Sequence, residues 1–273
     1  MRTWLALAFG VVICGCGSDS KVASDVGGGP DAKIVVDRAV AQPDAPRITV
    51  GFKELKGYEV LKGQVTIKVD VSANVTKVEL LGDTELFGCG PGGKLCPRSK
   101  VIATQLTAPF DVTWDSTSLT DRLLDISVKA YVGVAEATSA KLPVIIMNAG
   151  EEAPWSGGSS GKVTVPATGY VDQNLRYHWT MPGGVREIVG VITWDKPAFS
   201  LDLKVGAGQG PDVGLAATPL ENVPTLAAVH YSLSTGTIPA GETWYGRVVL
   251  KDPAAPQVLG NETSFQIKAY LLK

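Results

Sequence analysis

Residues 63–72 read Gly-Gln-Val-Thr-Ile-Lys-Val-Asp-Val-Ser, and they alternate without interruption. Val65, Ile67, Val69 and Val71 share one side of the period-two pattern, and Thr66, Lys68 and Asp70 share the other. That predicts a half-buried antiparallel strand. Ala73-Asn74 predicts a turn, and Lys77–Leu81 the next strand. Further on, Phe110, Val112 and Trp114 alternate, then Leu124, Ile126, Val128 and Ala130, and Leu142–Met147 closes as an apolar run. Short strands at this spacing over about 100 residues predict a β-sandwich spanning 47–148.

The pattern resumes after Trp155-Ser-Gly-Gly-Ser-Ser-Gly161, whose composition is that of a linker, placed at 149–160. Leu175, Tyr177 and Trp179 share a face opposite Asn174, Arg176 and His178. Val185–Trp194 is apolar on both faces, as a strand covered from both sides would be. Phe199, Leu201, Leu203 and Val205 oppose Ser200, Asp202 and Lys204. Leu226–Leu233, Thr243–Lys251 and Phe265–Leu272 supply further strands. The whole therefore reads as all-β: one sandwich over 47–148, and a second, jelly-roll-like one over 161–273.

The amino end follows neither pattern. Trp4–Ile13 is an apolar run behind Arg2, about ten residues long and too short to cross a bilayer core of roughly 30 Å as a helix. Residues 1–15 are therefore expected to be an export signal. Residues 16–46 carry Asp19, Asp25, Asp31, Asp37 and Asp44 among Gly and Pro clusters, and only Ile34-Val35-Val36 is apolar. Such a stretch buries too little to offset the entropy of ordering, so it reads as a flexible stalk reaching about 30 Å.

Composition adds restraint rather than direction. With 45% hydrophobic and 19% charged residues the chain is globular, and its 31 Gly and 17 Pro favour turns over long helices. A formal charge of −2, one unit more negative once Arg2 is lost, gives no electrostatic reason to bind nucleic acid.

Ile13-Cys14-Gly15-Cys16 resembles the lipobox of bacterial lipoproteins, with an aliphatic residue three before the cysteine and a small one just before it. Cys14 departs from the Ala or Ser usual at its place. The resemblance implies acylation of Cys16 and a membrane anchor. Gly17, where inner-membrane lipoproteins often carry Asp, implies the outer membrane. Of the other cysteines, Cys89 and Cys96 lie close together, and an oxidising export route favours a disulfide between them; two free thiols are the alternative. A zinc site fails for want of about four ligands.

Val75-Thr-Lys-Val-Glu-Leu80, Ala108–Asp115 and Leu124–Tyr131 are similar to a bacterial Ig-like domain, although Asp121-Arg122 stands where that family has Asp-Gly. Ile192-Thr-Trp194, Ser200–Lys204 and Ile238–Tyr245 are similar to pre-peptidase C-terminal and CUB-like sandwiches, with Ser200 replacing an Asp. Both resemblances imply non-catalytic modules that act as spacers or bind protein or sugar.

Candidate chemistry is sparse. Gly157–Gly161 spells G-x-S-x-G, but neither the preceding strand nor the following helix of a nucleophile elbow is predicted. His178 and His230, the two histidines, fall on polar strand faces away from any signalled nucleophile. Calcium is the ion best matched to loop carboxylates, and Asp202, Asp212 and Glu221 are its candidates; solvated acids are the alternative. Parity places Trp114, Trp179 and Trp244 in the core and Tyr245 and Arg247 outward, leaving the last two as ligand-contact candidates. No cofactor is expected. The sequence thus predicts a lipid-anchored, exported, non-catalytic protein that binds protein or polysaccharide. The alternatives are a spacer or subunit of an envelope complex, and an accessory domain of a secreted hydrolase system.

Overall fold

The alternation of Val65 to Val71 becomes two strands instead of one, because the chain changes partner at Lys68. β3 (Gln64–Ile67) pairs with β7 (Val112–Asp115), and β4 (Val69–Val71) pairs with β1 (Val50–Phe52). Parity survives the switch, with Ile67 and Val69 both buried. These ladders face a larger sheet in the order β2-β10-β8-β5-β6. Its strands are β2 (Glu59–Leu61), β5 (Lys77–Gly88), β6 (Leu95–Gln105), β8 (Arg122–Val132) and β10 (Leu142–Ile146), and β9 (Ala135–Thr138) joins β8. The β2–β10 pairing is parallel and the others are antiparallel. Ile67, Val112 and Trp114 pack against Val78, Leu80, Ile126, Val128 and Val144 to fill the space between layers. The architecture of this half is an immunoglobulin-like sandwich.

The computed structural model describes residues 48–88, 95–168, 176–208, 215–216, 218–220, 223–233 and 235–273. Cys16, Cys89, Asp212 and Glu221 lie outside them, as does the side chain of Cys96.

The second half opens with β11 (Glu151–Glu152) and β12 (Ser160–Thr164), both laid along β20 (Glu262–Leu272). With β14 (Glu187–Trp194), β17 (Thr218–Leu220) and β18 (Val223–Ser232) they form one sheet, in the order β11-β20-β14-β18-β17 with β12 also on β20. The facing sheet runs β13-β19-β15-β16, from β13 (Arg176–Thr180), β15 (Leu201–Ala207), β16 (Leu215–Ala216) and β19 (Thr243–Leu250). The chain passes back and forth between layers, as in a jelly roll. Trp179, Phe199, Leu201, Leu203, Ile188 and Ile192 are almost wholly buried between them. Trp114, Trp179 and Trp244 are all core residues, as parity predicts.

Residues 46–273 form one compact unit. The two apolar faces predicted for β14 explain how. Ile188 and Ile192 point into the jelly roll, while Val189 and Val191 point away from it, into a third cluster with Leu226, Ala228, Tyr270 and Leu272. Ile145 of β10 is buried in the same cluster, and Tyr58, Val60, Leu123 and Met147 pack on it. The six-stranded sheet therefore has the jelly-roll core on one side and the first half on the other.

The crossing between halves is held by two polar side chains. Asp121, buried at 7% exposure, accepts the consecutive backbone N–H groups of Asn148, Ala149 and Gly150. Asn148 Oδ1 accepts from Gly63 N at 3.0 Å, and its Nδ2 donates to the Ser116 carbonyl at 3.0 Å. The stretch after it, a linker by composition, is docked on the second half. Ala153 N donates to Ala269 O at 2.8 Å and Ser156 N to His178 O at 2.7 Å. Trp155 lies 4.6 Å from Trp179, ring to ring and nearly perpendicular.

Candidate functional site

Strand registry orders the outer face of the six-stranded sheet into rows. Leu272, Glu187 and Ser232 lie side by side, then Tyr270, Val189 and His230, then Lys268, Val191 and Ala228, then Gln266, Thr193 and Leu226. Val189, Val191, Leu226, Ala228, Tyr270 and Leu272 of these rows are buried in one cluster with Ile145 of the first half. Beside that cluster, toward Thr193, Thr225 and Gln266, a groove of about 580 Å³ opens. Its floor is Val191, Leu226 and Tyr270, with Thr193, Thr225 and Gln266 at the outer end. Leu55–Tyr58 and Leu142 of the first half form the opposite wall. An apolar cleft of this size with a few polar groups is the usual form of a binding site.

Tyr58 on that wall has φ of 60°. A bulky non-glycine residue in the left-handed region costs on the order of 1 kcal/mol, and such strain gathers at ligand sites. Here it is held by the Tyr58 amide, which donates to Pro143 O at 2.6 Å, and by packing of the ring on the third cluster. Burial, and then the charge of Asp125, pushes the Tyr58 hydroxyl above its ordinary range. Tyr270 is pushed up to about 12, by burial first and Glu152 second.

A measurable pH dependence follows. A phenol whose folded pKa is raised leaves stability intact below its ordinary value near 10, and stability falls as pH rises through the window between 10 and about 12. A two-unit shift corresponds to about 2–3 kcal/mol at the top of that window. Urea unfolding between pH 9 and 12 is expected to show this loss, and Tyr270→Phe is expected to flatten it. An equal slope in the variant would remove Tyr270 as the cause.

The residues singled out in the sequence lie elsewhere. Tyr245 and Arg247 are in β19, on the outer face of the other sheet. Tyr245 is beside His178, ring centroids 5.9 Å apart, and both Tyr245 and Arg247 are half-buried. Asp202 is neither in a loop nor solvated: it is the second residue of β15 and only 6% exposed. Among the described residues no cluster of three metal-ligating side chains occurs. Ser159 of the G-x-S-x-G stretch precedes a strand, not a helix.

His230 does meet a carboxylate. Its Nε2 lies 2.9 Å from Glu187 Oε1, and the same oxygen accepts the Leu123 N–H at 2.6 Å. Glu187 thus braces β14 to β8 across the two halves. No described hydroxyl or thiol is hydrogen-bonded to His230. The groove residues were missed because each reads blandly alone. Their one signal was the second apolar face of β14.

Comparisons with known proteins add little. No family model and no curated protein matches the chain. Among solved structures, a marsupial T cell receptor aligns over 82% of this chain and 99% of its own, at 8% identity and a TM-score of 0.27. A structure of the manganese lipoxygenase of Gaeumannomyces graminis with part of the zonadhesin of Komagataella pastoris covers 84% of each chain, at 11% identity and a TM-score of 0.12. Likenesses at these scores carry no argument.

Proposed function

We propose that the chain is an exported protein, anchored by acylated Cys16 in the outer membrane, that binds a ligand without transforming it. The binding site is the groove between the halves. The observation that supports this reading is the groove of about 580 Å³ itself, with Val191, Leu226 and Tyr270 at its base and the strained Tyr58 in its wall. The commitment of Glu187 to the Leu123 amide supports a bracing role for the His230–Glu187 pair. The sequence led to the expectation of a protein or a polysaccharide; an apolar groove fits an apolar segment or tail better than a polysaccharide, which stacks on exposed rings.

Each half of the proposal has its own test. Metabolic labelling with an alkyne palmitate should mark the wild-type chain and spare Cys16→Ser; equal labelling of both would sink the anchor. For the groove, irradiating the full chain in native membranes with benzophenone, a neutral apolar photoprobe, should place adducts at 55–58, 191–193, 223–226 and 266–270. Thr193→Trp, which fills the groove, should cut them roughly tenfold, the effect of losing about 1.4 kcal/mol of binding. Adducts spread evenly over the surface would exclude the groove.

A second reading, a subunit of an envelope complex, draws on β6. This strand ends its sheet, with Val101 in it 49% exposed and Leu106 just after it 65% exposed, and a sheet edge can accept a partner strand. Replacing Val101 by lysine would then lower the native mass of the complex extracted with the chain.

A further inference from the structure

The charged residues that line the groove are both cationic. Lys56 on the wall and Lys268 on the floor are the ionisable groups of ordinary cationic type among its lining residues, and none of those residues is a carboxylate. The remaining polar lining is neutral: Thr193, Thr225, Gln266 and the hydroxyls of Tyr58 and Tyr270. Nearby acids act from outside, and one of them, Asp125, bears on the Tyr58 hydroxyl of the wall. Glu152 reaches Lys268 at 3.8 Å, with both side chains about 40% exposed, and Glu59 accepts the Lys56 amide N–H at 3.1 Å. A pair that long and that wet holds Lys268 only weakly.

The backbone under the groove is fully engaged. β14 is paired on both sides, by β18 and β20; β20 carries β11 and β12 on its far side, and β18 carries β17. A peptide cannot add to the floor as a strand, so recognition falls to side chains. Volume agrees with a small ligand, since such sites run roughly 300–1,000 Å³.

We propose that the ligand of the groove is an anionic amphiphile: an apolar chain lying over Val191, Leu226 and Tyr270, with a carboxylate head between Lys56 and Lys268. This rests on the groove being the binding site, and deepens that reading. Lysine stems line the chain while their ammonium groups meet the head. Glu152 competes with the head for Lys268.

The test uses the full chain in native membranes and three photoprobes of equal length: diazirine-bearing dodecanoate, dodecanol and dodecyltrimethylammonium. Adducts are mapped by mass spectrometry. Dodecanoate is expected to label the groove peptides roughly tenfold more than the cationic probe, the ratio expected of one charge-assisted contact. Lys56→Met with Lys268→Met keeps both stems, and should bring the three probes level without changing the circular-dichroism spectrum. Glu152→Gln should raise dodecanoate labelling by a factor of about two to five, the range set by an exposed ion pair. Equal labelling of the groove by all three probes in the wild-type chain, or preference for the cation, overturns the anionic assignment and leaves the groove standing. Absence of groove adducts with every probe overturns both.

Discussion

Asp121→Ala is expected to lower the unfolding free energy by about 3–5 kcal/mol, the cost of removing a buried charged acceptor and stranding its donors. The carboxylate at 7% exposure is the acceptor for three successive N–H groups at 148–150, and alanine leaves all three without that acceptor. The loss propagates because this is where the chain passes from β10 into the second half. Asp121→Asn retains an acceptor oxygen but loses the charge, and should cost about half as much. Urea denaturation checks both, read as a fall in midpoint at unchanged slope. A loss below about 1 kcal/mol in the alanine variant would mean that the three amides find other acceptors.

The second large effect concerns Trp155 and Gly246. The indole lies across β19 so closely that a Cβ at Gly246 would sit 2.6 Å from Cη2 and 2.7 Å from Cζ3. Its edge-to-face contacts with Trp179 at 4.6 Å and Tyr177 at 6.1 Å tie the 151–161 stretch to the core. Trp155→Ala is expected to cost about 3–5 kcal/mol, as for other large aromatic truncations. Gly246→Ala should cost about 1–3 kcal/mol by overpacking. In the Trp155→Ala background the second change should cost almost nothing, because the obstructing ring is gone. Additive losses in the double variant would show that the two positions are not in contact.

Much of the sandwich was legible because period-two alternation reports burial directly. Phe199, Leu201, Leu203 and Val205, and the faces of β19, fell where parity put them. The break at Lys68 was not legible: both Ile67 and Val69 keep their side, and only the choice of partner strand divides them. β6 was missed because Arg98, Ser99, Lys100 and Thr104 leave little alternation; it is a strand through its ladder with β5. β12 was hidden by its Gly/Ser composition, which describes a linker until β20 supplies hydrogen bonds. The candidate site was the least legible part. Leu55, Val191, Leu226 and Tyr270 are far apart in sequence, and what makes them a groove is the meeting of the two halves.

That shared wall also limits how the chain can be divided in evolution or in the laboratory. A piece beginning just after residue 150 would keep a complete jelly-roll interior but turn Val189, Val191, Tyr270 and Leu272 toward water. Such a piece would behave as a sticky shell and clump through its naked side. The Gly/Ser run near 157–161, which looks like the natural place to cut, is a poor boundary for recombining either body with foreign neighbours.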